Sequence, residues 1–341
     1  MESSRARRNR RARPSRRRPL LHIALATVAV LGATAGGTVY VKAQAHSGAG
    51  AVSSSSPAPS ASASASGSVN GEVSVETVAA PETDHDALLA SAMKSVTVPG
   101  EAAVSVAVLD VDSGGGATYG EGAFDTASIV KVDILATLLL QAQDADRRLT
   151  AAEKSYATAM IENSDNDSAS ALWRTIGKAE GLDAANERFG LTDTEGGDDM
   201  LWGLTQTTAA DQLTLLQQVF GNDSELSEAS RTYLQGLMAQ IAVDQHWGVS
   251  AAAEGSSWAL KNGWLARSTT GLWDINSIGR VTVDGHDYLV AVLSNGNATQ
   301  AEGISLVEAA AEAAVSAFTD GGGSASVTAA ASRSASSSAT E

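Results

Sequence analysis

Strand-like segments stand at the two ends of residues 83–320, with none between them. A strand pattern at 103–111 is followed by a Gly-rich turn and a short strand at 117–119. Three more strand candidates, at 257–261, 275–283 and 288–294, come only after a long middle with helical patterns over 128–220 and 224–241. Asp284-Gly285 joins the last two strands and is a tight hairpin signal. A helix over 84–96 precedes the first strand. A closing helix over 301–318 carries Ile304, Val307, Ala311 and Val315 in register. One antiparallel sheet built from both termini of the domain, with a helical subdomain inserted, satisfies this order and predicts an α+β fold.

The flanks are of another kind. Nine arginines lie in the first eighteen residues, and 20–41 is an apolar stretch of 22 residues diluted by glycine and threonine. Residues 1–45 therefore read as an export element. Ala43-Gln44-Ala45 has the small-x-small form of a cleavage site, whereas the length of 20–41 is enough to span a bilayer, so a cleaved signal and a retained N-terminal membrane anchor both stand. In either case the arginine cluster keeps the N-terminus inside, and Ser15-Arg16-Arg17 points to the twin-arginine route. Residues 46–82, rich in Ser, Ala, Gly and Pro, bury too little apolar surface to fold and read as a disordered tether; 321–341 read as a disordered tail. The folded domain is expected outside the cytoplasmic membrane, secreted or anchored, and as a monomer.

The formal net charge of −16 hides an asymmetry: beyond residue 18, 14 basic residues face 38 acidic ones. Nucleic-acid binding by that part is disfavoured, because phosphate contacts need a basic footprint. With no cysteine there are no disulfides and no thiolate metal sites. His85, His246 and His286 show no metal-ligand spacing, and no Gly-x-Ser-x-Gly elbow is present, so neither a metal centre nor a cofactor is expected. Trp202, Trp247, Trp264 and Trp273 read as core or rim aromatics, with only Trp264 placed near a candidate site.

That site begins at Asp125-Thr126-Ala127-Ser128-Ile129-Val130-Lys131, which opens a largely aliphatic run to Leu140. The pattern predicts a buried helix starting at Ser128 and capped by Asp125 or Thr126. Residues three apart share a helix face, so the Lys131 amine is expected beside the Ser128 hydroxyl. Burial and the positive end of the helix both disfavour an ammonium, which suits Lys131 to accept the serine's proton. Ser91-Ala92-Met93-Lys94 has the same form, but its helix precedes the first strand and reads as an exposed amphipathic surface element. Two further stretches carry polar chemistry: Ser164-Asp165-Asn166 between helical patterns, and Lys261-Asn262-Gly263-Trp264 at the end of a strand.

In that order, Ser128-x-x-Lys131, Ser164-Asp165-Asn166 and Lys261-Asn262-Gly263 resemble the three motifs of the penicillin-recognising serine enzymes, the class A β-lactamases and penicillin-binding proteins. The resemblance covers 83–320 and implies a β-lactamase/transpeptidase-like fold. It also implies Ser128 as the acylated nucleophile, Lys131 as its proton acceptor, and Ser164, assisted by Lys261, as the proton donor to the leaving nitrogen. Asn166 would bind the substrate's amide side chain, Lys261 and Asn262 its carboxylate, and the N–H groups of Ser128 and Trp264 an oxyanion. The implied substrates are β-lactams, or D-alanyl cell-wall peptides or small esters; a non-catalytic penicillin-binding or wall-interaction module is the reading from outside enzymology. Three departures stand out. Asn262 replaces the usual Thr, and only 36 residues separate Ser128 from Ser164. The shortened loop before Thr205-Gln206-Thr207-Thr208 lacks the Glu-x-x-x-Asn that activates the deacylating water in class A enzymes. Glu195, Asp198 and Asp199 are the carboxylates available to substitute, and acylation is expected to outrun deacylation.

Overall fold

The computed structural model of the chain describes residues 83–334. The export segment and tether expected over 1–82 lie outside those residues, as do 335–341. Among the described residues, no helix is long and apolar enough to cross a membrane.

From the N-terminal side come α1 (His85–Ala92), β1 (Ala103–Asp110), β2 (Gly116–Tyr119) and the two-residue strand β3 (Phe124–Asp125). The helical middle follows as α2 (Val130–Asp144), α3 (Ala151–Glu162), α4 (Asn166–Ile176) and α5 (Lys178–Phe189). It continues through a second two-residue strand, β4 (Gln206–Thr207), to α6 (Ala209–Phe220) and α7 (Glu228–Met238). The chain then returns to the sheet as β5 (Trp258–Ala266), β6 (Trp273–Val283) and β7 (His286–Asn297), and ends in α8 (Gln300–Ser334). The five-stranded sheet has the order β2-β1-β7-β6-β5, every pair antiparallel. This is the expected α+β architecture, with strands from both ends of the domain and the helices inserted between them.

Asp284 and Gly285 join β6 to β7 with φ of 51° and 81°, the two left-handed residues that a type I′ hairpin needs. β3 and β4 pair with each other outside the main sheet; two residues carry no readable period, so the sequence gives no sign of them. α8 runs to Ser334, past the Phe318 expected and into the segment expected as a tail.

Alternation along the strands divides the interior in two. On β7, Leu289, Ala291 and Leu293 face one core with the helical subdomain, while Tyr288, Val290 and Val292 face the other with α1 and α8. α2 threads the first core, and Val130 through Leu140 is buried without a break. A helix apolar all round is stable only when surrounded, and α3, α4, α5 and α7 pack around this one. Truncating one of its fully buried leucines, such as Leu135, is expected to cost about 2–5 kcal/mol.

Candidate active site

The nucleophile candidate is held between the sheet and the helical subdomain. Ala127–Ile129 form a short 3₁₀ turn before α2, so Ser128 precedes the α-helix proper by two residues. Neither expected cap forms, since Thr126 makes no capping hydrogen bond and Asp125 lies in β3, ion-paired with Arg267. The turn is fixed from β6 instead. Asn276, fully buried, donates through Nδ2 to Asp125 O at 2.9 Å and Thr126 O at 3.0 Å, while its Oδ1 accepts from Ser294 N at 3.1 Å. A lone amide among the β-branched and aliphatic residues of a central strand was the sequence signal for this positioning residue, and the motif reading passed over it.

Ala127 and Ser164, neither of them glycine, hold φ of 48° and 56°. Left-handed backbone at such residues costs on the order of 1–3 kcal/mol, and here it falls immediately before the nucleophile and at the second motif serine. Asp165 then caps α4 by accepting from Ser168 N at 2.7 Å, which turns Ser164 and Asn166 toward α2.

All three motifs converge on one hydroxyl. Ser164 Oγ lies 3.0 Å from Lys131 Nζ and 3.1 Å from Lys261 Nζ. Lys131 also donates to Ser164 O and to Asn166 Oδ1, both at 2.7 Å, which leaves the Asn166 Nδ2 for a substrate carbonyl. Both lysines are fully buried. Burial brings the Lys131 amine down to about 7, against the opposing pull of the Asp165 carboxylate. Burial also holds Lys261 well below the ordinary lysine range, and the neighbouring Lys131 charge adds to that. A proton shared among two amines and a hydroxyl therefore moves at neutral pH without a histidine. Ser128, half-buried at the mouth of this group, is not among the hydrogen-bond partners of Lys131 in this state.

Strand alternation sorts the third motif into two faces. Lys261 and Gly263 point toward Ser128, and a Cβ on Gly263 would stand 2.7 Å from Thr126 O and 2.9 Å from Ser128 N, so only glycine lets β5 approach this closely. Asn262 and Trp264 point the other way. Asn262 donates both amide hydrogens, to Gln245 O at 2.8 Å and Trp247 O at 3.0 Å, and accepts from Ser277 Oγ at 2.6 Å. Its side chain has no donor left for a substrate carboxylate, which corrects the role expected for it. The Trp264 ring likewise packs on Trp247, with centroids 6.0 Å apart, in the core behind the sheet.

The backbone of Trp264 fits its expected part better. Thr282 N donates to Ser257 O, so in the unbroken β5–β6 register the hydrogen-bonded pairs fall at odd-numbered residues of β5. Trp264, at an even position on this edge strand, turns its N–H away from β6 and toward the free edge.

The loop between α5 and α6 departs most from the expected pattern. The carboxylates considered as substitutes, Glu195, Asp198 and Asp199, are exposed, and Asp199 is ion-paired with Lys178. Trp202 instead reaches the site: Lys131 Nζ stands over its ring, 5.0 Å from the centroid. Among the described residues, no group of three His, Cys, Asp or Glu side chains is placed to hold a metal ion.

Comparison with known proteins bears on the fold. Residues 154–318 match the family model described as the β-lactamase enzyme family, a span that includes Ser164, Asn166 and Lys261 and begins after Lys131. No curated protein matches the chain. Among solved structures, PBP-A is 19% identical, with a TM-score of 0.59 over 69% of this chain and 96% of that one; a mutant of it was solved as an acyl-enzyme complex with penicillin G. A class A β-lactamase representative from Bacteroides cellulosilyticus gives a TM-score of 0.59 at 15% identity, over 70% of this chain and 100% of that one. A β-lactamase from Xanthomonas campestris gives 0.54 at 20% identity, over 67% and 95%. By the match over 154–318 and by its architecture, the chain resembles the class A β-lactamases and PBP-A and carries a β-lactamase-like serine hydrolase fold.

Proposed function

We propose that the protein is a serine hydrolase that opens β-lactams by forming an acyl-enzyme at Ser128 and releases the product slowly. The observation that carries this reading is the Ser164 hydroxyl held between two buried, charge-poor lysines, 3.0 and 3.1 Å away. In its neutral form Lys131 takes the Ser128 proton as Oγ attacks the lactam carbonyl carbon. The resulting oxyanion is met by the N–H groups of Ser128 and Trp264. Its collapse breaks the C–N bond, and the nitrogen takes the proton of Ser164, which is resupplied from the lysine pair. Lys261 supplies the charge opposite the substrate carboxylate, and Asn166 Nδ2 binds the acylamide carbonyl. The product is an ester on Ser128.

Peptide mapping of protein treated with penicillin tests the assignment. The adduct is expected on Ser128 and absent from Ser128→Ala; modification of Ser91, or an undiminished yield in Ser128→Ala, would refute it.

The slow step draws its support from the site's composition: everything acylation needs is present, while no carboxylate accompanies Lys131 on the loop side. The same observation favours the second reading, a D-alanyl peptidase or esterase of the penicillin-binding type, and release of D-alanine from a wall pentapeptide would establish it. Export rests on the arginine cluster and the apolar run of 20–41. N-terminal sequencing of the mature protein checks it: a start at His46 means cleavage, an intact Met1 in the membrane fraction means an anchor, and a soluble cytoplasmic product refutes both.

A further inference from the structure

Trp202 opens a 3₁₀ turn, Trp202–Leu204, that stands directly against the nucleophile's own turn. A Cβ on Gly203 would lie 3.9 Å from both Cα and O of Ala127. The indole is pinned from below by α4, where Nε1 donates to Ser170 Oγ at 3.1 Å. Its ring lies over Lys131 Nζ, 5.0 Å from the centroid. Trp202 also lines a largely apolar cavity of about 520 Å³, together with Met200, Leu201 and Leu265 and the polar Arg267, Ser268 and Thr269. One side chain thus borders the proton-transfer group and an apolar recess at once.

We propose that Trp202 sets the lifetime of the acyl-enzyme by occupying the space beside Lys131 that a hydrolytic water would need. The inference rests on the acyl-enzyme reading above and adds to it the residue responsible for slow release. Hydrolysis requires a water oxygen to attack the ester carbonyl carbon, its proton to pass to a base, and the bond from that carbon to Ser128 Oγ to break as Oγ regains a proton. An ordered water needs about two to four polar partners, and an indole face supplies none. The loop's carboxylates are exposed, with Asp199 tied to Lys178, so no carboxylate of the loop stands where the water would have to be. An apolar acyl substituent seated in the recess packs against the same ring and displaces further water. The longest-lived adducts should therefore come from substrates with large apolar acyl groups.

The test follows adduct formation and decay by intact mass after a penicillin pulse in the unsubstituted protein and four variants. Trp202→Ala is expected to shorten the adduct lifetime roughly tenfold or more by admitting water, while acylation changes by less. Trp202→Glu, which places a base at the same point, is expected to shorten it by a further factor approaching the 10²–10⁴ of general-base catalysis, and its deacylation rate should acquire the ionisation of a carboxyl group with pH. Trp202→Phe keeps the apolar face and should retain a lifetime within a few-fold of the original. Ser170→Ala frees the ring without truncating it and should shorten the lifetime even if the larger changes impair folding. Equal lifetimes in all five proteins would overturn the role of Trp202 and leave the acyl-enzyme intact. No adduct on the unsubstituted protein would overturn the acyl-enzyme reading, and this inference with it.

Discussion

Lys131 has two unlike sides. Toward α4 and β5 it meets Ser164 and Asn166, with Lys261 sharing the Ser164 hydroxyl, all polar and hydrogen-bonded at 2.7–3.1 Å. Toward the α5–α6 loop it meets the face of Trp202, a residue that also lines a largely apolar recess. On the function proposed, the first side serves to move protons onto a leaving nitrogen and the second to keep water out, which makes forming an ester and hydrolysing it separate problems.

The largest effect should come from removing the group both sides share. Lys131→Met is expected to slow acylation by about 10²–10⁴-fold, read by rapid mixing with a chromogenic cephalosporin. In the unsubstituted protein the amine must be neutral to accept the Ser128 proton, and its pKa is about 7. The acylation rate should thus rise about tenfold per pH unit below 7 and level off above it. A flat profile from pH 5 to 8 would mean that Lys131 is not the proton acceptor.

A smaller effect sharpens the contrast between the two faces of β5. Asn262→Ala removes three buried hydrogen bonds, those to Gln245 O and Trp247 O and the one from Ser277 Oγ, and should cost about 1–3 kcal/mol of folding stability, measured by urea denaturation. The KM for a carboxylate-bearing substrate should be nearly unchanged. A KM raised tenfold with stability intact would place Asn262 at the substrate after all.

The order of elements and the three motifs were legible in the sequence because both depend on short-range signals: apolar period, a hairpin dipeptide and residue spacing. The faces of β5 were legible only in part: residues two apart on a strand share a side, but the strand expected at 257–261 runs on to Ala266, and only that extension parts Lys261 and Gly263 from Asn262 and Trp264. The family motif, read as a string, hid that alternation. Trp202 was not legible as a site residue, and Asn276 showed only as a lone amide in a central strand, with nothing in the sequence to say what it holds. They reach Ser128 and Lys131 from more than seventy residues away in sequence, through a strand register and a loop conformation that only the assembled sheet and helices determine.

The smallest expected effect on activity lies below the loop, where α2, α5 and α6 meet. Asp133 is buried beside Thr137 on its own helix, Asn186 and Asp183 on α5, and Asp211 on α6. Burial raises its carboxyl to about 7, with the Asp183 and Asp211 charges adding to the shift. Asp211 and Asp183 in turn hold the loop base through Asp193 N and Gly196 N, each at 2.8 Å. Because the folded state keeps the Asp133 proton and the unfolded state releases it near 3.8, stability should fall as pH rises from about 4 to about 7. Asp133→Asn should flatten that slope in thermal melts at stepped pH; an unchanged slope would place its origin elsewhere.

The contrast between the two sides of Lys131 is tested most directly by pre-steady-state mixing of the protein with excess chromogenic cephalosporin. Without a base for the deacylating water, that barrier stands about 3–5 kcal/mol above one with general-base help. The result expected is a burst close to one equivalent per protein, followed by slow turnover and an adduct trapped on acid quench. Steady turnover from the first milliseconds, with no burst and no trapped adduct, would contradict the account and show that a group on the loop side activates water.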